Sequence, residues 1–482
     1  MSQNLPTRTS RLVALLVTLA CAPDPRQTAR GDEARDFYNV VDPDGADPWV
    51  WKHTDGRYYL AVTTGRDVTL RRSRTLSGMG SGRRKVVWTP PPSGPFSKDI
   101  WAPELHFLRG KWYVYFAADD GANDRHRVYV LENPAADPFE GAFTFKGRLT
   151  GTGDDHWAVD GAVLRVGEQL YFLWSGWEGD EDVRQDLYIA PMRDPWTLGG
   201  PRVRIASPAL PWETRGAPPA VLEGPQVLVK RGKVHVVYSA SGSWTDHYCL
   251  GLLTASLDSD LLSPASWSKR GRPIFESGNA VVSPGHCTFT TSPDDTEDWI
   301  VYHAARYPGA GWSRQVLAQK FDWSADGSPV FGAPAPPDAP LPLPSGEPRR
   351  LRFEAEAAAL GGSARPVRRP GASRGAEVGF IATPDSSVAF DLTVSAPGAY
   401  ALSVRFANND PGKAEATHAL TVNGGPPQVV RYVYTGPGRR SIAGARVTLK
   451  AGANRVTFAK GERVAEIDCL DVVSDPEGEP RP

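Results

Sequence analysis

Three carboxylates stand out in this sequence because of their neighbours and the intervals between them. Asp47 lies in Ala46-Asp47-Pro48-Trp49-Val50, Asp160 in Ala158-Val159-Asp160-Gly161, and Glu223 between apolar residues in Val221-Leu222-Glu223-Gly224-Pro225. Two acids that face one small pocket can hydrolyse a glycosidic bond, because one protonates the leaving oxygen while the other activates water. Burial and a nearby negative charge keep one such acid protonated, and Glu223 is the better candidate for that role.

These acids belong to a series of similar segments that open at regular intervals. The segments open near Asp47, Pro103, Asp160, Glu223 and His286, which are 56, 57, 63 and 63 residues apart. Each is followed by a polar turn and a short strand rich in β-branched or aromatic residues, at 58–62, 112–116, 170–174, 234–238 and 299–303. Five sheet-forming repeats predict a five-bladed β-propeller whose first strands line the axis. A pair of generic β-sandwiches is the alternative, but it does not explain the spacing.

The whole chain is predicted to be all-β and to contain two domains. Its 482 residues are too many for one ordinary core, and the propeller accounts for residues 31–330. Residues 331–348 are rich in proline and predict a semi-rigid linker. Residues 349–475 combine short strands with glycine-rich turns, which predicts a β-sandwich of the jelly-roll type.

The net charge and the N-terminal segment indicate which partners and which cellular location to expect. A net charge of −1 gives no electrostatic reason to expect nucleic acid or an anionic membrane as partner. Residues 1–22 resemble an export signal, because arginines precede an apolar run that is too short to span a bilayer. A lipid anchor at Cys21 and ordinary cleavage near Ala22 both remain open. We expect a secreted or cell-envelope monomer without a transmembrane segment.

Several motifs, taken in order, resemble the family 43 glycoside hydrolases over roughly residues 36–330. They are the Asp47 segment, Asp99-Ile100-Trp101-Ala102-Pro103-Glu104, Asp155-His156-Trp157-Ala158-Val159-Asp160-Gly161, Leu222-Glu223-Gly224-Pro225 and Pro284-Gly285-His286. This resemblance implies a five-bladed propeller that cleaves arabinofuranosides or xylosides with inversion. It implies that Asp47 is the general base, that Glu223 is the general acid, and that Asp160 orients Glu223 and raises its pKa. It implies no cofactor for catalysis.

Four further residues are candidates for binding, and the resemblance suggests the roles of two of them, His286 and Arg314. His286 matches a histidine near the axis that contacts water or a bound cation, and Arg314 matches an arginine that contacts substrate. Trp101 and Trp157 lie beside axial positions and could stack on a sugar face. Packing of these tryptophans against a neighbouring blade is the alternative.

Within the family, the segment 155–161 and the later Leu173-Trp174-Ser175-Gly176-Trp177 are most similar to the exo-acting α-L-arabinofuranosidases. The expected activity is release of terminal arabinofuranosyl residues from plant arabinan, arabinoxylan or their oligosaccharides. A β-xylosidase, an exo-galactanase and a non-catalytic sugar-binding propeller remain alternatives. The retaining fructosidases are less similar, because Arg193-Asp194-Pro195 follows an outer strand and Gly224 follows the acid where that group has cysteine.

The C-terminal unit resembles the family 6 and family 35 carbohydrate-binding modules. The similar segments are Phe353-Glu354-Ala355-Glu356, Val422-Asn423-Gly424-Gly425 and Ile467-Asp468-Cys469-Leu470-Asp471. The resemblance implies that the unit holds the enzyme on polysaccharide, with a structural calcium bound by Glu354, Glu356 and Asp471. Solvated acids on edge strands are the alternative for these three residues.

Overall fold

The computed structural model describes residue 1 and residues 31–151, 155–216 and 218–475. Apart from Met1, the expected signal peptide lies outside these ranges, and so does Cys21. Within them, no helix is long and apolar enough to cross a membrane. The described chain consists of β-strands and short 3-10 helices at Met79–Ser81, Asn123–Arg125, Pro264–Ser266 and Ala355–Ala357. The prediction of an all-β protein is confirmed.

Two short strands, β1 (Asp32–Ala34) and β2 (Asp36–Tyr38), precede a run of antiparallel sheets that we number as blades 1 to 5. Blade 1 contains β3 (Trp49–Lys52), β4 (Tyr58–Ala61), β5 (Val68–Ser73) and β6 (Arg83–Trp88). Blade 2 contains β7 (Lys98–Leu108), β8 (Lys111–Asp119), β9 (Arg127–Asn133) and β10 (Thr144–Arg148). Blade 3 contains β11 (Ala158–Val166), β12 (Gln169–Gly176), β13 (Arg184–Asp194), β14 (Thr197–Leu198) and β15 (Val203–Ala206). Blade 4 contains β16 (Ala220–Lys230), β17 (Lys233–Ala240), β18 (Cys249–Ser256) and β19 (Ser268–Lys269), and blade 5 contains β20 (Val282–Thr291), β21 (Asp298–Ala305), β22 (Arg314–Trp323) and β23 (Pro329–Val330).

The first hairpins of the blades form where the turn residues predict them. At Arg109-Gly110 and at Arg231-Gly232, both residues have positive φ, between 49° and 80°. Two-residue turns with positive φ match the right-handed twist of the strands that they join. The apolar second strands, such as β8 and β17, are therefore placed directly beside the first strands of their blades.

Five apolar clusters lie between successive blades and close them into a ring. Separate clusters join blades 1 and 2, 2 and 3, 3 and 4, and 4 and 5. A fifth cluster packs Val50 and Leu60 of blade 1 against Val301 and Val316 of blade 5. The segment before β3 reinforces this closure, because the amide of Val41 donates a hydrogen bond to the carbonyl of Val316 at 2.8 Å. The sheets therefore form a five-bladed propeller, as the repeat spacing predicts.

The C-terminal unit consists of two sheets packed on one apolar core. After β24 (Pro340–Pro342), its strands are β25 (Arg350–Glu354), β26 (Ala359–Gly361), β27 (Arg365–Arg368), β28 (Ala376–Gly379), β29 (Ser387–Val394), β30 (Gly398–Ala407), β31 (Ala416–Val422), β32 (Gln428–Tyr432), β33 (Ser441–Leu449), β34 (Gly452–Lys460) and β35 (Glu466–Ser474). One sheet contains β1, β25, β27, β28, β30, β33 and β35, and the other contains β26, β29, β31, β32 and β34. Side chains from both sheets, including Leu402 and Phe458, share the core.

The first described strand, β1, belongs to the sheet of this second unit, whereas Phe37 of β2 packs in the cluster between blades 1 and 5. Strand β1 pairs with β25, and β2 pairs with β24. The expected propeller boundary at residue 31 is therefore too early. The expected semi-rigid linker, 331–348, begins in contact with the propeller, because Phe331 is buried between blades 4 and 5. The two units are consequently joined along several segments, and Arg352 links them by binding Asp36 at 2.7 Å.

We expect the Arg352→Ala substitution to destabilise the protein strongly. Arg352 holds the buried Asp471 carboxylate by two hydrogen bonds of 2.7 and 2.9 Å. Its loss leaves a buried charge poorly compensated, which costs about 3 kcal/mol of the free energy of unfolding. The exposed pair of Arg455 and Asp391 provides the control, and Arg455→Ala should cost less than about 1 kcal/mol. Equal losses in urea unfolding would contradict this account of the junction.

Candidate active site

A repeated irregularity of the inner strands turns particular side chains toward the propeller axis. The first strands of blades 2 to 5 each contain a break in register with the second strand. Residues at or just before these breaks, and one just before β3, have left-handed backbone conformations: φ is 53° at Asp47, 42° at Ala102, 57° at Asp160, 56° at Gly224 and 41° at His286. A bulge bends its strand and re-aims a side chain, and such strained positions concentrate at functional sites. The regular spacing of the opening segments thus coincides with a left-handed backbone conformation that recurs around the ring.

A cavity of about 1030 Å³ opens where these positions converge. Its lining contains every residue that the sequence proposes for catalysis or substrate binding in the propeller, namely Asp47, Trp101, Trp157, Asp160, Glu223, His286 and Arg314. The structure therefore brings all seven together. Their individual roles depend on the surroundings of each side chain.

Asp47 is surrounded by groups that favour its charged form. Its Oδ2 accepts a hydrogen bond of 2.6 Å from the hydroxyl of Thr63, and its Oδ1 lies 3.1 Å from Nδ1 of His286. Nη1 of Arg314 lies 3.6 Å from the same Oδ1. Burial alone would raise the pKa of Asp47, but the positive charge and hydrogen bond of His286 outweigh it and hold that pKa well below its ordinary value. Asp47 is therefore ionised across the physiological pH range.

The surroundings of Glu223 favour its protonated form instead. The hydroxyl of Tyr248 donates a hydrogen bond of 2.7 Å to its Oε1. Burial and then the negative charge of Asp160 raise the pKa of Glu223 to about 7, against the opposing effect of that hydrogen bond. Glu223 thus retains its proton in mildly acidic solution, when Asp47 has lost its own.

Asp160 and His286 connect the other two acids. Oδ2 of Asp160 accepts a hydrogen bond of 3.0 Å from the amide of Gly224, which fixes the backbone next to Glu223. Burial raises the pKa of Asp160, and nearby charges modify it further. For His286, burial would lower the pKa, but the charges of Asp47 and Asp160 raise it to about 9. His286 is therefore an imidazolium at neutral pH.

The two tryptophans proposed from the sequence are held by other rings. Trp101 stacks on His126 with centroids 3.9 Å apart, and Trp157 lies nearly parallel to Trp177 at 4.9 Å. Both still line the cavity. Each therefore packs against another ring while it contributes to the cavity surface, and its stacking on a sugar face stays a prediction.

Sequence reasoning missed several groups at this site. Thr63, Tyr248 and His303 come from second and third strands or from the loops beside them, and the Nδ1 of His303 accepts the amide hydrogen of Asp47 at 3.0 Å. Trp244 and the exposed Trp312 also line the cavity, with ring centroids 5.8 Å apart. Trp312 could have been found from the sequence, because it lies two residues before Arg314, which was already proposed to contact substrate.

The structure treats the expected calcium ligands differently: Asp471 has a protein partner, whereas Glu354 and Glu356 each keep an oxygen without one in the described chain. Asp471 is bound by Arg352, so its carboxylate is not free to join Glu354 and Glu356 as a calcium ligand, and that assignment is wrong. Glu354 and Glu356 fit an ion better, because Oε2 of each is buried without a hydrogen-bond partner among the described residues. Within the described ranges, no three His, Cys, Asp or Glu side chains are grouped as a metal site. A cation near His286 stays a prediction, and the positive charge of His286 itself opposes it.

In chemical terms, the cavity holds one ionised and one protonated carboxylic acid, with a third acid fixed between them. This is the pairing that acid–base hydrolysis of a glycosidic bond requires.

Comparison with known proteins agrees with this geometry. Residues 38–329 match the model of glycosyl hydrolases family 43. The chain is 39% identical over 335 residues to an extracellular exo-alpha-(1->5)-L-arabinofuranosidase of Streptomyces avermitilis, a match that covers 67% of this chain and 69% of the relative. The crystal structure of an alpha-L-arabinofuranosidase from Lactobacillus brevis superposes with a TM-score of 0.59 at 36% identity, covering 62% of this chain and 97% of that one.

A further solved structure resembles both units together. The exo-beta-1,3-galactanase from Phanerochaete chrysosporium covers 92% of this chain and 100% of its own, with a TM-score of 0.51 and 18% identity. At that identity the likeness concerns the fold alone. The family model spans more than half of the sequence and coincides with the propeller that carries the acids, and the chain therefore belongs to the glycosyl hydrolases of family 43.

Proposed function

We propose that this glycosidase is an exported exo-acting α-L-arabinofuranosidase that removes terminal arabinofuranosyl residues from arabinan-type polysaccharide with inversion. The observation that supports it most is the opposite protonation of Asp47 and Glu223 within one cavity. The choice of sugar rests on the relatives named as arabinofuranosidases, and export rests on those named as extracellular.

In the proposed reaction, Asp47 accepts a proton from a water molecule as that water attacks the anomeric carbon. Glu223 donates its proton to the glycosidic oxygen as the bond to the leaving sugar breaks. Each acid thus ends in the other's initial state, and one proton exchange with solvent restores both. Asp160 positions Glu223 through the Gly224 amide and keeps its pKa high. Inversion requires room for the water, so we expect the acid and base carboxyls to be about 6.5–9.5 Å apart.

For the second unit, we propose a carbohydrate-binding module of the jelly-roll type that contacts the same polymer. Its support is the sequence resemblance together with the two packed sheets. A calcium ion held by Glu354 and Glu356 would stabilise the turn after β25, without help from Asp471.

Two substitutions should separate the acid from the base. We expect Glu223→Gln to lower kcat on an arabino-oligosaccharide by about 10³-fold and on 4-nitrophenyl α-L-arabinofuranoside by far less, since nitrophenolate leaves without protonation. Asp47→Asn should lower kcat on both substrates by a similar large factor, because water must be activated in either case.

The buried Glu213 supplies the control for these variants. It lies just before β16 of the same blade, accepts hydrogen bonds from Tyr238 and Lys269, and does not line the cavity. Glu213→Gln should change the unfolding temperature but leave kcat within a few-fold. Equal losses on the two substrates for Glu223→Gln would overturn its assignment as the acid.

The pH dependence gives an independent test. Activity needs Glu223 protonated, so kcat/KM should fall as pH rises through about 7. Tyr248→Phe removes a hydrogen bond that favours the carboxylate, so the alkaline limb should move to higher pH, by about one unit. Asp160→Asn removes a negative charge, so the same limb should move to lower pH. Shifts in the same direction for both variants would contradict the charge arrangement.

Calcium binding can be measured apart from activity. We expect millimolar calcium to raise the melting temperature of the wild type, because a ligand that binds only the folded state stabilises it. The double variant Glu354→Gln/Glu356→Gln should show no such rise, whereas Glu213→Gln should keep it. If the melting temperature of the wild type is the same in calcium and in chelator, the proposed calcium ion is ruled out.

A further inference from the structure

The cavity that contains the acids has a second source of lining residues. Besides the propeller, the C-terminal unit contributes Glu415, Val429, Arg431 and Val433, which we call the Val429 wall. The residues come from β32 and from the segments beside β31 and β32. A domain that only tethers the enzyme to polymer has no need to form the surface of the catalytic cavity.

The wall offers side chains suited to a sugar. Along β32, Val430 and Tyr432 are buried in the core while Val429 and Arg431 are exposed, as strand alternation requires. Val429 is 64% exposed and lines the cavity, so its apolar surface is available to a ligand there. Arg431 pairs with Glu415 at 2.5 Å beside it. An apolar contact next to charged hydrogen-bonding groups matches the C–H face and the hydroxyl groups of a saccharide.

The wall is fixed against the two blades that flank the opening. Nη1 of Arg446 donates to the carbonyl of Ser81 in blade 1, and Nη1 of Arg439 donates to the carbonyl of Arg306 in blade 5. The rings of Tyr434 and Tyr307 meet edge to face at 5.2 Å. Contact with both blades holds the wall in one position relative to the acids.

The position of the wall in the cavity matches the leaving-group side of a bound polysaccharide. Asp160, His286 and Arg314 are buried at the axis and Asp47 and Glu223 are half-buried beside them, where the terminal sugar that is released must lie. The wall contributes the exposed side chains of Val429 and Arg431 to the cavity, and the exposed Arg84 of blade 1 belongs to the same lining. The part of the polysaccharide beyond the scissile bond has to leave the cavity through an exposed part of its lining.

We propose that the Val429 wall binds the sugar units on the leaving-group side of the scissile bond, so that the C-terminal unit helps to select which polymer is cleaved. The proposal rests on the glycosidase function proposed above. In it, the second unit is part of the substrate site and its residues determine specificity without taking part in proton transfer.

The test compares a long and a short substrate. We expect Val429→Asp to raise KM for an α-1,5-linked arabinopentaose by about tenfold, because it removes apolar contact and adds a charge. On 4-nitrophenyl α-L-arabinofuranoside, which has no further sugar units, kcat/KM should change less than about twofold. Val429→Ile should retain the wild-type ratio of the two.

Val464 provides the matched control. It is an exposed valine of the same unit, 40% exposed, and it does not line the cavity. Val464→Asp should leave both substrates unaffected. Equal losses on both substrates for Val429→Asp, or no loss on the pentaose, would overturn the proposal.

A binding measurement separates this proposal from the catalytic one. In a Glu223→Gln background, titration calorimetry with the pentaose should show weaker binding when Val429→Asp is added and unchanged binding when Val464→Asp is added. If the wild type instead cleaves a xylo- or galacto-oligosaccharide, the proposed sugar is wrong. The same comparison, with that oligosaccharide and its nitrophenyl glycoside, then decides the role of the wall.

Discussion

The ion pair between Asp47 and His286 crosses the seam where blade 5 meets blade 1, and the protonation of the whole site depends on it. At the propeller axis, the carboxyl groups of Asp47, Asp160 and Glu223 lie in one cavity with two positive groups, His286 and Arg314. Two negative charges balance the two positive ones, and a third would be buried without compensation. Since His286 lies nearest Asp47 and then Asp160, the remaining proton stays on Glu223. Closure of the ring therefore creates the difference between acid and base.

Much of the propeller and its acids could be predicted from the sequence, because both follow from a repeat. Asp47 and Asp160 are two blades apart and Glu223 is one blade further, and a left-handed backbone conformation recurs at or beside each of them. Thr63, His303 and Tyr248 could not be found in this way. They depend on contacts between neighbouring strands and blades, which leave no spacing pattern in the chain.

The errors of the sequence interpretation also have physical reasons. Strand β1 is three residues long and mostly polar, so it has no alternating hydrophobic pattern. The sequence therefore does not indicate that it pairs with a strand more than 300 residues later. For Asp471, the identity of the residue suggested a ligand, but its neighbour across the strands decides its role. Arg352 is directly opposite in register and takes both oxygens of the carboxylate. This cross-strand pairing of Arg352 with Asp471 is recognised only when the register of β25 and β35 is known.

The pairing of β1 with β25 has a mechanical consequence. Strand β1 is the edge of the seven-stranded sheet, so the described chain pairs with the second unit at residues 32–34, before it reaches the ring. A load transmitted to β1, for instance by attachment to a surface, would be carried by three residue pairs and by the ion pairs of Asp32 with Arg374 and of Glu33 with Arg349. The catalytic ring would then be suspended from the same unit that borders its substrate cavity, and the orientation of that unit would set the direction in which the cavity faces the polymer.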